Sequence, residues 1–184
     1  MVTKTKWLID SAHSAIAFKI KHLMISNVKG KFKEFEASIY TTGEDFLTAE
    51  VDFWINPNSI DTSDASRDGH LVSEDFFDTT NHKEITFKAN TIEKESGSDE
   101  YAVWGDLTIK GITKRIKLDV EFGGVVKDPW GKEKAGFSIT GKVSRKDWGL
   151  NWNAVLEAGG LLISDDVKIE CELELTKAPA EEVA

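Results

Sequence analysis

Apolar side chains recur at every second position through most of this chain, and that period restricts the fold more than any motif. Ile16, Phe18 and Ile20 share one face, and Val28, Gly30 and Phe32 form another run. Phe35, Ala37 and Ile39 continue out of phase with it, so a bulge or bend is expected between the two. Leu47, Ala49, Val51, Phe53 and Ile55 form the clearest early strand, and Ile85, Phe87 and Ala89 a shorter one. Tyr101, Val103, Gly105, Leu107 and Ile109 follow, then a turn at Gly111, then Ile116, Leu118, Val120 and Phe122. Phe137, Ile139, Gly141 and Val143 precede the last strand, which carries Val167, Ile169, Cys171, Leu173 and Leu175. The positions between are mostly Lys, Glu, Asp and Thr, as a sheet with one wet face requires. Turn residues cluster at 42–44, 95–99 and 128–131. Seven or more strands with little helix predict an antiparallel barrel or sandwich, and the period alone does not choose between them.

Two segments break the alternation. Residues 56–83 are too long for a hairpin loop, and the spacing predicts a short helix over about 63–73, capped by Thr62 or Ser63. Residues 146–165, KDWGLNWNAVLEAGGLLISD, hold two Trp and three Gly. Connections beyond about 12–15 residues are usually functional.

The chain has 184 residues, enough for one domain with a sizeable core. The expected division is a domain over 1–176 and a polar tail over 177–184. Hydrophobic residues at 40% and charged residues at 30% place it among folded, soluble chains. Six Trp and ten Phe must occupy a core, a pocket or an interface. A formal net charge of −9 disfavours nucleic acid as a partner and a purely electrostatic hold on an anionic membrane. The single cysteine, Cys171, forms no intrachain disulfide and reads as a small buried hydrophobe. No apolar run follows the N-terminal lysines and none reaches the roughly 20 residues of a membrane helix, so a cytoplasmic location is expected unless a leader has been removed.

Catalytic and metal signals are thin. His13, His22, His70 and His82 match no compact metal-ligand spacing. The stretch SRDGHLVSEDFFD, residues 66–78, is the one crowded spot, and Ser66, His70 and Asp75 invite a hydrolase reading. No G-x-S-x-G elbow supports it, and a triad is defined by geometry rather than by local crowding. The acids there lack the spacing of a calcium loop. Gly123–Gly124 and Gly159–Gly160 form no phosphate loop and read as bends. Lys110, Lys114, Arg115 and Lys117 cluster around Gly111, either as a solvated hairpin or as a contact for an anionic head group or membrane surface. What remains is hydrophobic. A closed sheet of about eight strands holds either a packed core or one ligand.

Several ordered motifs resemble one family. WLIDSAHSAIAFKIKHLMISNVKGKF, from Trp7 to Phe32, is similar to the opening of the YceI-like family of polyisoprenoid-binding proteins, with Ile9-Asp10, His13-Ser14, His22-Leu23 and Gly30-Lys31-Phe32 in family-like places. Arg67-Asp68, His70-Leu71, Ser73, Asp75 and Phe76-Phe77-Asp78 resemble its central motif. His82-Lys83 stand where the family often has an aromatic residue and a proline. Gly105 to Gly124, then Asp128-Pro129 with Gly131, Ala135-Gly136-Phe137, Arg145 and Asp147-Trp148-Gly149-Leu150, complete the pattern. The resemblance spans about residues 7–175.

The resemblance implies an all-β, extended lipocalin-like barrel of eight antiparallel strands with a short capping helix. It implies a non-catalytic protein that binds, stores or transports a long-chain isoprenoid or similar amphiphile, such as an isoprenoid quinone-like lipid, with no other cofactor and no metal. A homodimer is also in the family's range, and with no transmembrane segment in the sequence any membrane contact is expected to be transient. The expected tunnel lining is Phe18, Ile20, Val51, Phe53, Phe87, Val103, Leu107, Phe137 and Ile139. The expected mouth, facing the head group, is Arg67, His70, Trp148, Asn151 and Trp152. The competing readings are the hydrolase built on Ser66, His70 and Asp75, and a ligand-free structural or stress-associated protein with a filled core.

Overall fold

The alternating runs pair into one antiparallel sheet that closes on itself. The computed structural model describes residues 3–95, 99–154, 156 and 162–179. Its strands are β1 (Lys4–Ile9), β2 (Ala15–His22), β3 (Ser26–Phe32), β4 (Phe35–Thr42), β5 (Asp45–Ile55), β6 (Ile60–Asp61), β7 (Ile85–Lys94), β8 (Glu100–Ile109), β9 (Ile112–Lys127), β10 (Glu133–Ser144) and β11 (Ile163–Lys177). One helix, α1 (Ala65–Leu71), stands between β6 and β7.

The eleven segments make eight staves. One edge of β11 takes both β1, with Ile9 opposite Leu175, and β2, with Ile16 opposite Cys171. β1 and β2 are therefore one strand, interrupted by the 3-10 turn Ser11–His13. β3 and β4 are likewise in line, β3 against β2 and β4 against β1. β5 pairs with β4, and its continuation β6 pairs with β3. β7 to β11 then pair in sequence, and the β1–β11 contact shuts the ring. The result is an eight-stranded closed barrel with one short helix. Closure removes the open edges that a sandwich leaves exposed.

Local physics moves several expected boundaries. The helix is shorter than 63–73, and Asp64 caps it by accepting from the Arg67 backbone N–H at 3.0 Å. The expected break after β3 falls at residues 33–34. Leu47, expected inside, is 41% exposed, and Phe46 turns inward instead. The Thr48 hydroxyl takes the Thr42 backbone N–H at 2.7 Å where a ladder bond would lie, and the β4–β5 register shifts there. From Ala49 onward the expected phase holds. Residues 96–98 of one turn, Gly159–Gly160 and tail residues 180–184 lie outside the described residues.

Two apolar clusters fill the ends of the barrel. The larger one gathers Phe32, Phe35, Phe53, Ile55, Ile85, Leu107 and Trp148 near the helix. The other gathers Trp7, Ile39, Phe46, Ala49, Ala135 and Leu175 at the far end.

Candidate ligand-binding cavity

The inward residues of the staves enclose a cavity of about 720 Å³. That is within the roughly 300–1,000 Å³ typical of small-molecule sites. All nine residues expected in the tunnel line it: Phe18, Ile20, Val51, Phe53, Phe87, Val103, Leu107, Phe137 and Ile139. Strand pairing explains why. Phe18 and Ile20 face inward from β2, and their register partners Ile169 and Val167 on β11 do the same. Three inward glycines keep the walls thin. The Phe18 ring lies over Gly30, the Phe87 ring over Gly105 and the Leu118 side chain over Gly141. Each glycine lets a large side chain lie along the wall instead of projecting across the lumen.

The far end is sealed. The Trp7 ring packs on Phe46 at 4.9 Å, Phe46 on Phe137 at 5.0 Å and on Phe122 at 5.3 Å, and Phe122 stacks on Phe137 at 5.1 Å. Trp7 Nε1 donates to the buried Thr41 hydroxyl at 2.9 Å, so the plug carries no unsatisfied indole.

The helix end is the mouth. The charged and histidine residues on the lining, Lys21, His22, Asp64, Arg67, His70 and Arg145, all belong to it. Arg67 folds back on the chain: Nε donates to Thr62 Oγ1 at 2.8 Å and Nη2 to the Thr62 carbonyl at 2.7 Å. The Thr62 hydroxyl donates to Asp68 at 2.6 Å, and Asp64 lies 4.0 Å from Arg67 Nη1. His70 pairs with Asp75 at 2.8 Å and meets the Trp152 and Phe76 rings edge-on at 4.6 and 5.1 Å. The crowded stretch therefore splits into two separate polar networks, while Phe76 and Phe77 turn down onto the cavity.

Three expectations need correction. Trp148 lines the cavity but is 1% exposed, and its Nε1–H is used by the Leu107 carbonyl at 2.9 Å, so it offers no polar group to a head. Asn151 is exposed and does not border the cavity. Ser66 has no hydrogen bond to His70 among the described residues, and Ser73 Oγ donates to the His70 carbonyl, so the Ser-His-Asp arrangement is not assembled.

Arg145 is the residue that sequence reasoning passed over as a site residue. It is 3% exposed and donates from Nη1 to the Leu150 and Trp152 carbonyls and from Nε to the Ser164 carbonyl. Its Nη2 faces Asp165 at 3.8 Å. Burial pushes the guanidinium pKa down while Asp165 supports its charge. It ties the segment bearing Trp152 to β11, and Gly149, with φ 75°, makes the turn that lets the chain come back over it.

A second polar cluster lies away from the mouth. His13 Nδ1 is 2.9 Å from Asp10 Oδ2 and 3.2 Å from Glu174, and Lys134 Nζ is 3.1 Å from the same Asp10 oxygen. The His13 hydrogen bond, with Lys134, holds the Asp10 carboxyl down at about 2 against the opposing effect of burial. Asp10 and Glu174 raise the His13 pKa in turn. Asp10, His13 and Glu174 have metal-ligand atoms within 4.8 Å of one another, but Lys134 already neutralises Asp10. The cluster reads as an ion-pair knot fastening the β1–β2 break to β10 and β11. Cys171 is buried, which raises its thiol pKa to about 11 and leaves it an inert wall residue.

With this geometry in place, residues 7–175 match the YceI-like domain. The chain belongs to the YceI-like family. It is 42% identical over 173 residues to UPF0312 proteins of Staphylococcus aureus strains N315 and Mu50, a match covering 94% of this chain and 98% of theirs. The crystal structure of the Campylobacter jejuni YCEI protein is 36% identical, with a TM-score of 0.72 over 86% of this chain and 90% of that one. A polyisoprenoid binding domain from Saccharophagus degradans shares the YceI-like fold at 16% identity, with a TM-score of 0.66 over 94% and 98% of the two chains. The apolar lumen of this YceI-like barrel is suited to an apolar occupant.

Proposed function

We propose that this barrel is a carrier for a long polyisoprenoid or isoprenoid quinone-like lipid, with the tail in the lumen and the head at the rim formed by Arg67, His70 and Trp152. The observation that carries the reading is the largely apolar cavity of about 720 Å³, plugged by aromatics at one end and charged only at the other. Filled at liquid density, about 30 Å³ per molecule, it would hold some two dozen waters, each wanting two to four polar partners. The lumen wall away from the mouth supplies almost none, so an apolar chain is the better occupant. Each methylene buried contributes about 0.8 kcal/mol before chain-ordering costs. The polyisoprenoid binding domain of Saccharophagus degradans, which shares the fold, supports the chemical class.

The test is organic extraction of the purified protein followed by mass spectrometry, together with thermal unfolding of delipidated protein with and without added geranylgeraniol. A stoichiometric isoprenoid in the extract and a raised Tm on addition are expected. Empty extracts with no gain in Tm would refute the carrier reading.

A further inference from the structure

The rim of the mouth is divided between two kinds of surface. On the helix side the lining carries Asp64, with Asp68, Glu74, Asp75 and Asp78 following in sequence, and Asp61 marks the boundary, ion-paired at 3.3 Å with Lys33 just beyond β3. On the β2–β3 side the chain runs from Ser11 to Lys33 without a single Asp or Glu, although 32 of the 184 residues are acidic. The same stretch carries Lys19, Lys21, Lys29, Lys31 and Lys33.

Strand register gathers lysines into a row. Lys142 stands opposite Lys168, Lys168 opposite Lys19, and Lys19 opposite Lys29, across β10, β11, β2 and β3. Like charges placed directly across a sheet oppose its stability. Glu170 and Asp166 pair with Lys19 and Lys142. Lys21, Lys29, Lys31 and Lys168 have no acid within 4.0 Å among the described residues.

Just beyond this row the β2–β3 hairpin turns through Leu23, Met24 and Ile25, which are 38%, 58% and 83% exposed. The Ile25 N–H donates to the His22 carbonyl at 3.2 Å, and Leu23 and Met24 have φ of 55° and 61°. Two successive residues in the left-handed region inside this three-residue loop are positions that Asn and Gly fill best. Here they are filled by two bulky aliphatics in a backbone region that disfavours them. Local stability does not explain that choice. The hairpin is continuous with the mouth: Lys21 and His22 line it, and the Leu23 N–H donates to the carbonyl of Leu162, another lining residue, at 2.9 Å.

We propose that this lip docks on an anionic lipid bilayer, with Leu23, Met24 and Ile25 entering the interface and the lysine row meeting the phosphates. The acidic helix side then faces away from the surface, and the mouth opens beside the bilayer from which a lipid would enter. An apolar tip combined with a basic band is what binds such a surface when net charge is unfavourable. The inference rests on the carrier reading for its purpose, though docking itself needs no bound lipid.

The test is flotation of the full chain, as purified and delipidated, with phosphatidylcholine vesicles and with mixed phosphatidylcholine–phosphatidylglycerol vesicles. Binding to the mixed vesicles, weakened by salt, is expected. K19Q and K29Q should each weaken it about fivefold. M24D/I25D should abolish it with unchanged circular dichroism. L23N/M24G should also abolish it while raising Tm, because the turn then suits its backbone. Docking by protein whose extracts are empty and whose Tm gains nothing from geranylgeraniol leaves this inference standing and removes the carrier reading; lipid-loaded protein that binds no vesicle does the reverse. Binding equal on both vesicles, or unchanged by M24D/I25D, overturns the proposal. So does a dimer in solution that M24D/I25D dissolves while the wild type ignores vesicles.

Discussion

Gly30→Ala tests whether the lumen depends on bare backbone beneath its aromatic rings. A Cβ at Gly30 would sit 2.4 Å from Phe18 Cζ and 2.9 and 3.0 Å from its Cε atoms, where ordinary contact begins at 3.4 Å. The ring tip must therefore retreat by about 1 Å, and with the sheet behind it the only free direction is the lumen. Overpacking of this kind costs about 1–3 kcal/mol, while the loss of glycine's freedom in the unfolded chain returns about 0.4–1 kcal/mol. A net destabilisation of about 1.5 kcal/mol is expected, or a Tm lower by several degrees at roughly 2–4 °C per kcal/mol. Lipid retention should fall with it. F18L removes the ring, so F18L/G30A should recover much of the loss, with a coupling of about 1–2 kcal/mol in a double-mutant cycle read by urea unfolding. Gly105 supplies the control. Its absent Cβ would meet the Lys88 carbonyl oxygen at 2.7 Å as well as the Phe87 ring, so F87L should not rescue G105A. A G30A protein as stable and as retentive as wild type, or a penalty that F18L leaves unchanged, would refute the reasoning.

Other perturbations separate the fold's fastenings. Asp10 lies at about 2 when folded against an ordinary 3.8, so its contribution is complete above the higher value and is lost as pH falls towards the lower one. D10N should therefore cost up to about 2 kcal/mol near pH 5, measured by urea unfolding, with the gap to wild type closing towards about pH 2. His13, whose pKa is raised, adds stability below its ordinary 6.5 that fades as pH rises past its folded value, so H13A should narrow its gap to wild type in alkaline buffer. R145A strips the donor from the Leu150, Trp152 and Ser164 carbonyls and should cost about 3 kcal/mol in urea unfolding; a loss under about 1 kcal/mol would contradict its role as the anchor of that segment.

Most of the barrel was legible because one of its faces is dry. Period-two alternation marks a half-buried strand wherever the chain keeps its register, and Phe18, Val51, Phe87 and Ile139 all turn inward as their phase requires. The phase failed at Leu47, where a single threonine hydroxyl replaced a ladder bond and flipped the residues before it. Sequence spacing carries no record of such a substitution of partners. Trp148 was misplaced for a related reason: an indole near a long loop suits a rim, and only the nearby Leu107 carbonyl makes it a core residue. The aromatic plug was invisible because Trp7, Phe46, Phe122 and Phe137 come from four different strands. Arg145 had one local signal, an arginine opening a short turn closed by Gly149 beside a Trp-rich segment, and that signal names no partner.

The polar mouth is largely satisfied within the protein. Arg67 is used by Thr62, Thr62 by Asp68, His70 by Asp75, and Arg145 by three carbonyls. The only buried side-chain atoms without a hydrogen-bond partner among the described residues, Arg145 Nη2 and Asp165 Oδ1, face each other. A site built to read a head group leaves donors or acceptors unpaired until the head arrives, because the penalty for an unmatched buried polar group is what rejects the wrong ligand. This mouth has little such need, whereas the lumen has no other means of covering its walls. On the carrier reading, discrimination therefore falls on the tail: a chain that ends short leaves wall uncovered at about 0.8 kcal/mol per missing methylene, and one too long meets the plug formed by Trp7 and Phe46. The rim's part is to hold the mouth in shape, which is the work its internal hydrogen bonds do.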